Sequence, residues 1–381
     1  MKGYERDGLL REIREDSIRH VTVNTRDIAV YSLIREEKER DRNGNIATAF
    51  CFYKITRESV EAVRKGTAQH TKSKMVFPEA TMSDMLKISR FRSISMHGIF
   101  ISGISGNRLI GFTQRGLNQL CAKAMINQKL ADKRSNNRDF MLAEAMLKGD
   151  TCTFAVRETK GGEFLICGVF GENYRPLKDA DILKICGNLE TLSKNSAKEL
   201  HMTGWHKSED IIEIEMEYRN RVFKVDGREY VPGIKLIDSQ TGRSAFRMQA
   251  TIRSADTGSY LVIGEKKLRH DAKYDIRDTA VRWKSEIDEK IGEYILAQQR
   301  VRGVKKNYAI EMFETSGLEK IVGKKRMERF RDDAVRNTFD EKYTSMLSFN
   351  FWAQDYFSDE KEGGIGSEQK EKLRKELGML A

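Results

Sequence analysis

Proline is scarce in this sequence: Pro78, Pro176 and Pro232 are the only three in 381 residues. With 39% hydrophobic residues, such a chain is not composed like a disordered or low-complexity segment, and it has the apolar material for a core. No run approaches the roughly 18 consecutive apolar residues of a membrane span, and Met1 to Asp16 lacks the apolar stretch of an export signal. Cysteine is also sparse. Cys51, Cys121, Cys152, Cys167 and Cys186 are odd in number, widely spaced and mostly set in apolar runs, which reads as reduced core thiols rather than a disulfide framework. A soluble protein of the cytoplasm is expected.

Catalytic signatures are missing as well. Gly103 to Gly106 lacks the Gly-Lys-Ser/Thr ending of a phosphate-binding loop, no G-x-G-x-x-G follows a strand pattern, and no G-x-S-x-G elbow occurs. His201 and His206 lie beside Trp205 without a cysteine or carboxylate at metal-ligand spacing. No enzyme, cofactor or metal is therefore expected. One enzyme-like pattern stands apart: Asp256, the strand Tyr260 to Ile263, and Glu265-Lys-Lys267 resemble the hairpin of a magnesium-dependent nuclease, with Asp238 as a further carboxylate. Asp256-Thr-Gly258 is equally ordinary turn chemistry.

What the chain has in excess is positive charge. Sixty-eight Lys and Arg against 57 Asp and Glu give a formal net charge of +11, which favours polyanionic partners through counterion release. Between Met85 and Lys160, thirteen cations face five acids, a local excess of eight. There Lys87, Arg90 and Arg92 flank Phe91, and Lys133, Arg134 and Arg138 mark a polar interhelical loop; these are the preferred backbone contacts of that segment. A second set lies on strand patterns. Phe246, Met248, Ala250 and Ile252 alternate with Arg247, Gln249, Thr251 and Arg253, and Arg219, Arg221, Lys235 and Arg243 sit in neighbouring segments, so a basic sheet face is expected. Cross-strand charge pairing competes with that reading. A turn at Arg219-Asn220 would set Glu215 opposite Lys224, and an Asp226-Gly227 hairpin would set Lys224 opposite Glu229.

Periodicity places these residues. An N-terminal α/β layer is expected over 1–84, with an Asn-Gly turn in 41–45. Strands are expected at Met96 to Ser102 and Leu109 to Phe112, a helix capped by Thr113, and a second helix at Asn137 to Leu147 stopped by Gly149. Two strands, Thr151 to Arg157 with Cys152, Phe154 and Val156 on one face and Phe164 to Phe170 buried on both faces, precede a helix introduced by Asp179 and Asp181. Residues 210–265 read as an antiparallel meander; beyond Asp271 the period turns helical. The fold class is thus α+β: an antiparallel β-meander with packed helices, followed by a mainly helical C-terminal region. Domains are expected at 1–84, 85–268 and 269–357, with 358–381 a glycine-bearing linker and a tail helix marked by Leu373, Leu377 and Leu380.

Three runs carry a resemblance: Phe112-Thr-Gln-Arg-Gly-Leu-Asn-Gln-Leu120, Gly168-Val-Phe-Gly-Glu-Asn-Tyr-Arg-Pro-Leu177 and Val231-Pro-Gly-Ile-Lys-Leu-Ile-Asp-Ser-Gln-Thr-Gly-Arg243. In this order, over about residues 96–265, the chain resembles the phage/plasmid-like proteins defined by a domain of unknown function. It departs from that pattern at Ile237-Asp238-Ser239, and at Arg253 to Gly258, where the family has a cysteine near an Asn-Gly. The resemblance implies origin in a phage or plasmid and carries no catalytic residues. The expected function is a non-enzymatic protein of a phage or plasmid that holds RNA or single-stranded DNA by its phosphates, since no recognition-helix motif for duplex DNA is evident. A self-assembling interaction protein with homotypic contacts through the C-terminal region, and a magnesium-dependent nuclease, are the alternatives.

Overall fold

The computed structural model describes residues 7–11, 13, 18–40, 46–65, 69–71, 74–76, 85–89, 98–104, 106, 108–127, 129, 136–159, 162–194, 199–270, 275–300, 306–336, 345–358 and 365–380. The chain is α+β and divides into two units: Leu10–Pro176 with Gln240–Gly242, and Met1–Leu9 with Leu177–Ser239 and Arg243–Ala381. We call them the N-terminal and C-terminal units. Residues 85–268, expected as one core, are shared between the two.

The N-terminal unit contains β1 (Ile18–Asn24), β2 (Ala29–Arg40), β3 (Ile46–Ile55), α1 (Arg57–Arg64), β4 (Gln69–Thr71), β5 (Lys74–Val76), β6 (Met85–Ser89), β7 (Ile99–Ser102), β8 (Gly111–Phe112), α2 (Gln114–Lys123), α3 (Asn136–Met146), β9 (Thr151–Glu158) and β10 (Phe164–Gly171). Its two four-stranded sheets run in the orders β1-β9-β10-β8 and β6-β3-β2-β7. The expected strand pair around Gly103 is split between them. β7 pairs antiparallel with β2 and β8 joins β10 in parallel, and among the described residues an Ile101–Ile110 bridge links the two. The expected turn at 41–45 lies outside the described residues, although β2 and β3, on either side, pair antiparallel. The caps are as expected. Thr113 accepts from the Gly116 amide at 3.1 Å, and Gly149, at φ 82°, donates to the Met146 carbonyl at the end of α3. Phe154, Ile166, Leu117, Phe140 and Leu142 meet in one core.

The C-terminal unit is built from α4 (Asp179–Ser193), β11 (Leu200–Lys207), β12 (Ile212–Tyr218), β13 (Phe223–Val225), β14 (Arg228–Asp238), β15 (Phe246–Ser254), β16 (Tyr260–Leu268), α5 (Ile276–Arg300), α6 (Lys306–Thr315), α7 (Glu319–Val322), α8 (Lys324–Arg336), α9 (Met346–Ser358) and α10 (Ser367–Leu380). Its antiparallel sheet runs β11-β12-β14-β15-β16, with β13 beside β14. The β11 edge is covered by α4: the Leu200 and Met202 amides donate to Ser193 Oγ and Glu190 Oε1 at 2.9 and 2.8 Å. Residues Asp226 (φ 51°) and Gly227 (φ 75°) form the left-handed turn expected there. The Asp226 carboxylate also accepts from the Ser345 amide at 2.7 Å, holding the start of α9.

Alternation along the strands separates two sheet faces. Ile214, Leu236, Phe246, Met248 and Ile252 are fully buried on the face that carries α5, where Trp283 stacks on Phe246 with centroids 6.2 Å apart. Glu213, Glu215, Lys235, Arg247, Gln249, Arg253 and Tyr260 lie on the other, whose β16 edge is covered by α10. The tail helix therefore docks on its own unit: Leu373 and Leu377 are fully buried, and the Asn350 amide donates to the Leu377 carbonyl at 2.7 Å. Of the aromatic run near the C-terminus, Phe349, Phe351, Trp352, Tyr356 and Phe357 pack around Phe330, Phe313 and Tyr230; Phe339 and Tyr343 lie outside the described residues.

Candidate nucleic-acid interface

The sheet face expected to be basic is built as a charge lattice. Lys235, in the central strand β14, is 5% exposed. Its Nζ lies 2.7 Å from Glu213, 3.5 Å from Glu215 and 2.8 Å from the Tyr260 hydroxyl. Burial alone would lower the Lys235 pKa, but Tyr260 and Glu213 outweigh it and raise it, so the ammonium is held charged. Arg253 grips Glu217 with two nitrogens, and that bond raises its pKa. Arg247 bonds to Glu371 of α10 and lies 3.7 Å from Glu265, which also receives Lys375 at 2.7 Å. Burial would raise the Glu371 pKa, yet Arg247 and Lys375 bring it below the usual range.

This face sets Lys235, Arg247, Arg253 and Lys267 against Glu213, Glu215, Glu217 and Glu265, an even balance. It is not the basic face read from the alternation of Phe246 to Arg253. The register explains why. Glu215 pairs with Lys235, not Lys224, because β12 runs against β14 while β13 pairs with β14 alone; Lys224 does meet Glu229, at 2.9 Å. The alternating glutamates of β12 become counterions for Lys235 of the neighbouring β14 and, through Glu217, for Arg253 of β15 beyond it.

The remaining candidates scatter. Arg219 reaches Glu199 at 3.4 Å and Arg243 reaches Asp210 at 3.7 Å, whereas the Arg221 guanidinium lies 5.5 Å from the centre of the Tyr218 ring. Arg138, expected in a solvated loop, is 1% exposed and pairs with the buried Asp139 at 2.6 Å, because α3 begins at Asn136 and turns Arg138 inward. It cannot touch a phosphate backbone from there. Lys87 sits on β6, and Arg90, Arg92, Lys133 and Arg134 lie outside the described residues.

A different group of cations emerges in the N-terminal unit. Arg108, Lys123, Lys129 and Lys148 are exposed and have no carboxylate partner among the described residues. Lys148 follows α3 by two residues, and Glu144, four positions before it, is taken by Arg64 at 2.5 Å. All four belong to the basic segment 85–160, but nothing in the sequence separates them from its paired cations. Pairing is decided by long-range packing.

The nuclease-like carboxylates do not converge. Arg253 pairs with Tyr260 and Gln249 with Glu265, so Glu265 stands five residues, about 17 Å, along β16 from the end next to Asp256. Asp238 is fully buried at 2.8 Å from His270, and burial raises its pKa. Among the described residues no group of three His, Cys, Asp or Glu is placed to hold a metal ion, and no helix is long and apolar enough to cross a membrane. No protein-family model, curated protein or solved structure matches the chain. The likeness to phage/plasmid-like proteins rests on its three short motifs.

Proposed function

We propose that this chain is a non-enzymatic nucleic-acid-binding protein of a phage or plasmid, acting in the host cytoplasm on RNA or single-stranded DNA through backbone phosphates. The observation that carries this reading is the contrast in pairing. In the C-terminal sheet, Lys235, Arg247 and Arg253 are neutralised in place, whereas Arg108, Lys123, Lys129 and Lys148 of the N-terminal unit are exposed without a carboxylate partner among the described residues. A paired cation must give up its carboxylate before it meets a phosphate, which cancels most of the gain; an unpaired one releases only condensed counterions. The net charge of +11 supports the same partner class. Replacing Lys129 and Lys148 by Glu in one variant tests it. Affinity for a single-stranded oligonucleotide at low salt is expected to fall by about tenfold or more, with an unchanged thermal midpoint because both side chains are exposed. Equal affinity of a folded variant would remove the N-terminal unit from the account.

A further inference from the structure

Cation–aromatic contacts occur at five places among the described residues. Four of them involve Tyr218 or Tyr260. Those two rings belong to polar networks, Tyr218 donating to Asp288 and Tyr260 accepting from Lys235 and Arg374. The fifth is different in kind. The Arg108 guanidinium carbon lies 5.2 Å from the centre of the Phe164 ring, with Arg108 exposed and Phe164 half-buried at the start of β10. Phe164 is anchored from below, since it packs against the core that contains Ile166 and Phe154. Glu158, directly opposite Phe164 in the sheet, and Glu163, which precedes it, both leave Arg108 without an ion pair.

A guanidinium held over a ring presents its second flat face outward, and planar cations of this kind stack on nucleobases. We infer that Arg108 and Phe164 form a stacking platform for an unpaired nucleobase. The inference rests on the nucleic-acid reading above and adds to its phosphate contacts a contact with the base itself, which only an unpaired base can make, because bases inside a duplex have no free face to offer. The cations without carboxylate partners would follow the phosphates, while this platform would require a base.

Three ligands and two variants separate these contributions: a short oligoadenylate, the corresponding duplex and inorganic polyphosphate, each bound to the wild type, Arg108→Lys and Phe164→Leu. Arg108→Lys keeps the charge and removes the plane. It is expected to lose about tenfold or more in oligoadenylate affinity, with the salt dependence, duplex binding and polyphosphate binding unchanged. Phe164→Leu should behave alike, and circular dichroism checks its fold. Equal oligoadenylate binding by wild type and Arg108→Lys overturns the platform while leaving the nucleic-acid reading intact, as does an equal loss on polyphosphate. If the wild type binds none of the three ligands, the functional reading falls and the platform with it.

Discussion

Asp139 shows how a single buried carboxyl couples this fold to pH. It is 2% exposed, receives Ser32 Oγ at 2.7 Å and pairs with Arg138; burial pushes its pKa up to about 6, against the pull of the arginine. A carboxyl whose folded pKa is raised binds its proton more tightly when folded. Its stabilising contribution is therefore complete below the ordinary value of 3.8 and is lost as pH rises through about 6. Above that window the folded state carries a buried charge at a cost of about 3 kcal/mol relative to the protonated form. Asp139→Asn, which stays neutral, is expected to lose less stability than the wild type as pH climbs from 4 to 7. Thermal melts of both proteins across that range give the comparison, and parallel pH profiles would refute the assignment.

At the scale of elements, the tail helix α10 is the clearest case of order supplied by docking. Fourteen residues are marginal as an isolated helix. Its hold comes from Leu373 and Leu377, from Gly378, where any side chain would strike the Val262 carbonyl of β16, and from Glu371 and Lys375 on the charge lattice. Leu377→Ala should cost about 2–5 kcal/mol and Gly378→Ala should also destabilise, whereas Met379→Ala, at a side chain 65% exposed, should change stability by less than about 0.5 kcal/mol. Denaturant unfolding measures all three; a neutral Leu377→Ala would show that the helix is not docked. The leucine spacing made this helix legible in the sequence, and local capping and turn chemistry did the same for the Thr113 cap, the Gly149 stop and the Asp226-Gly227 turn, because each depends on neighbours a few residues away. What it docks on was not legible, and neither was the split of β7 and β8 between two sheets. Arg253 likewise finds Glu217 across two strands and Arg138 turns inward to Asp139, outcomes set by register and packing that local spacing does not encode.

For the molecule as a whole, 68 cations and 57 acids are less informative than how they are paired. In the C-terminal sheet Lys235, Arg247 and Arg253 are paired with carboxylates, and the segment 85–160 carries an excess of eight cations, with Arg108, Lys123, Lys129 and Lys148 exposed and without a carboxylate partner among the described residues. Arg247 and Arg253 thus serve as lattice members, and nucleic-acid affinity should survive their loss. The most direct test is the affinity for single-stranded RNA measured over a series of salt concentrations, for the wild type, Lys129→Glu/Lys148→Glu and Arg247→Ala/Arg253→Ala. The account predicts a straight line of log affinity against log salt for the wild type, a slope shallower by about one or two for the lysine variant, and an unchanged slope for the arginine variant once its fold is confirmed. Affinity that is absent at low salt, indifferent to salt, or lost with Arg247 and Arg253 instead of Lys129 and Lys148 would contradict it.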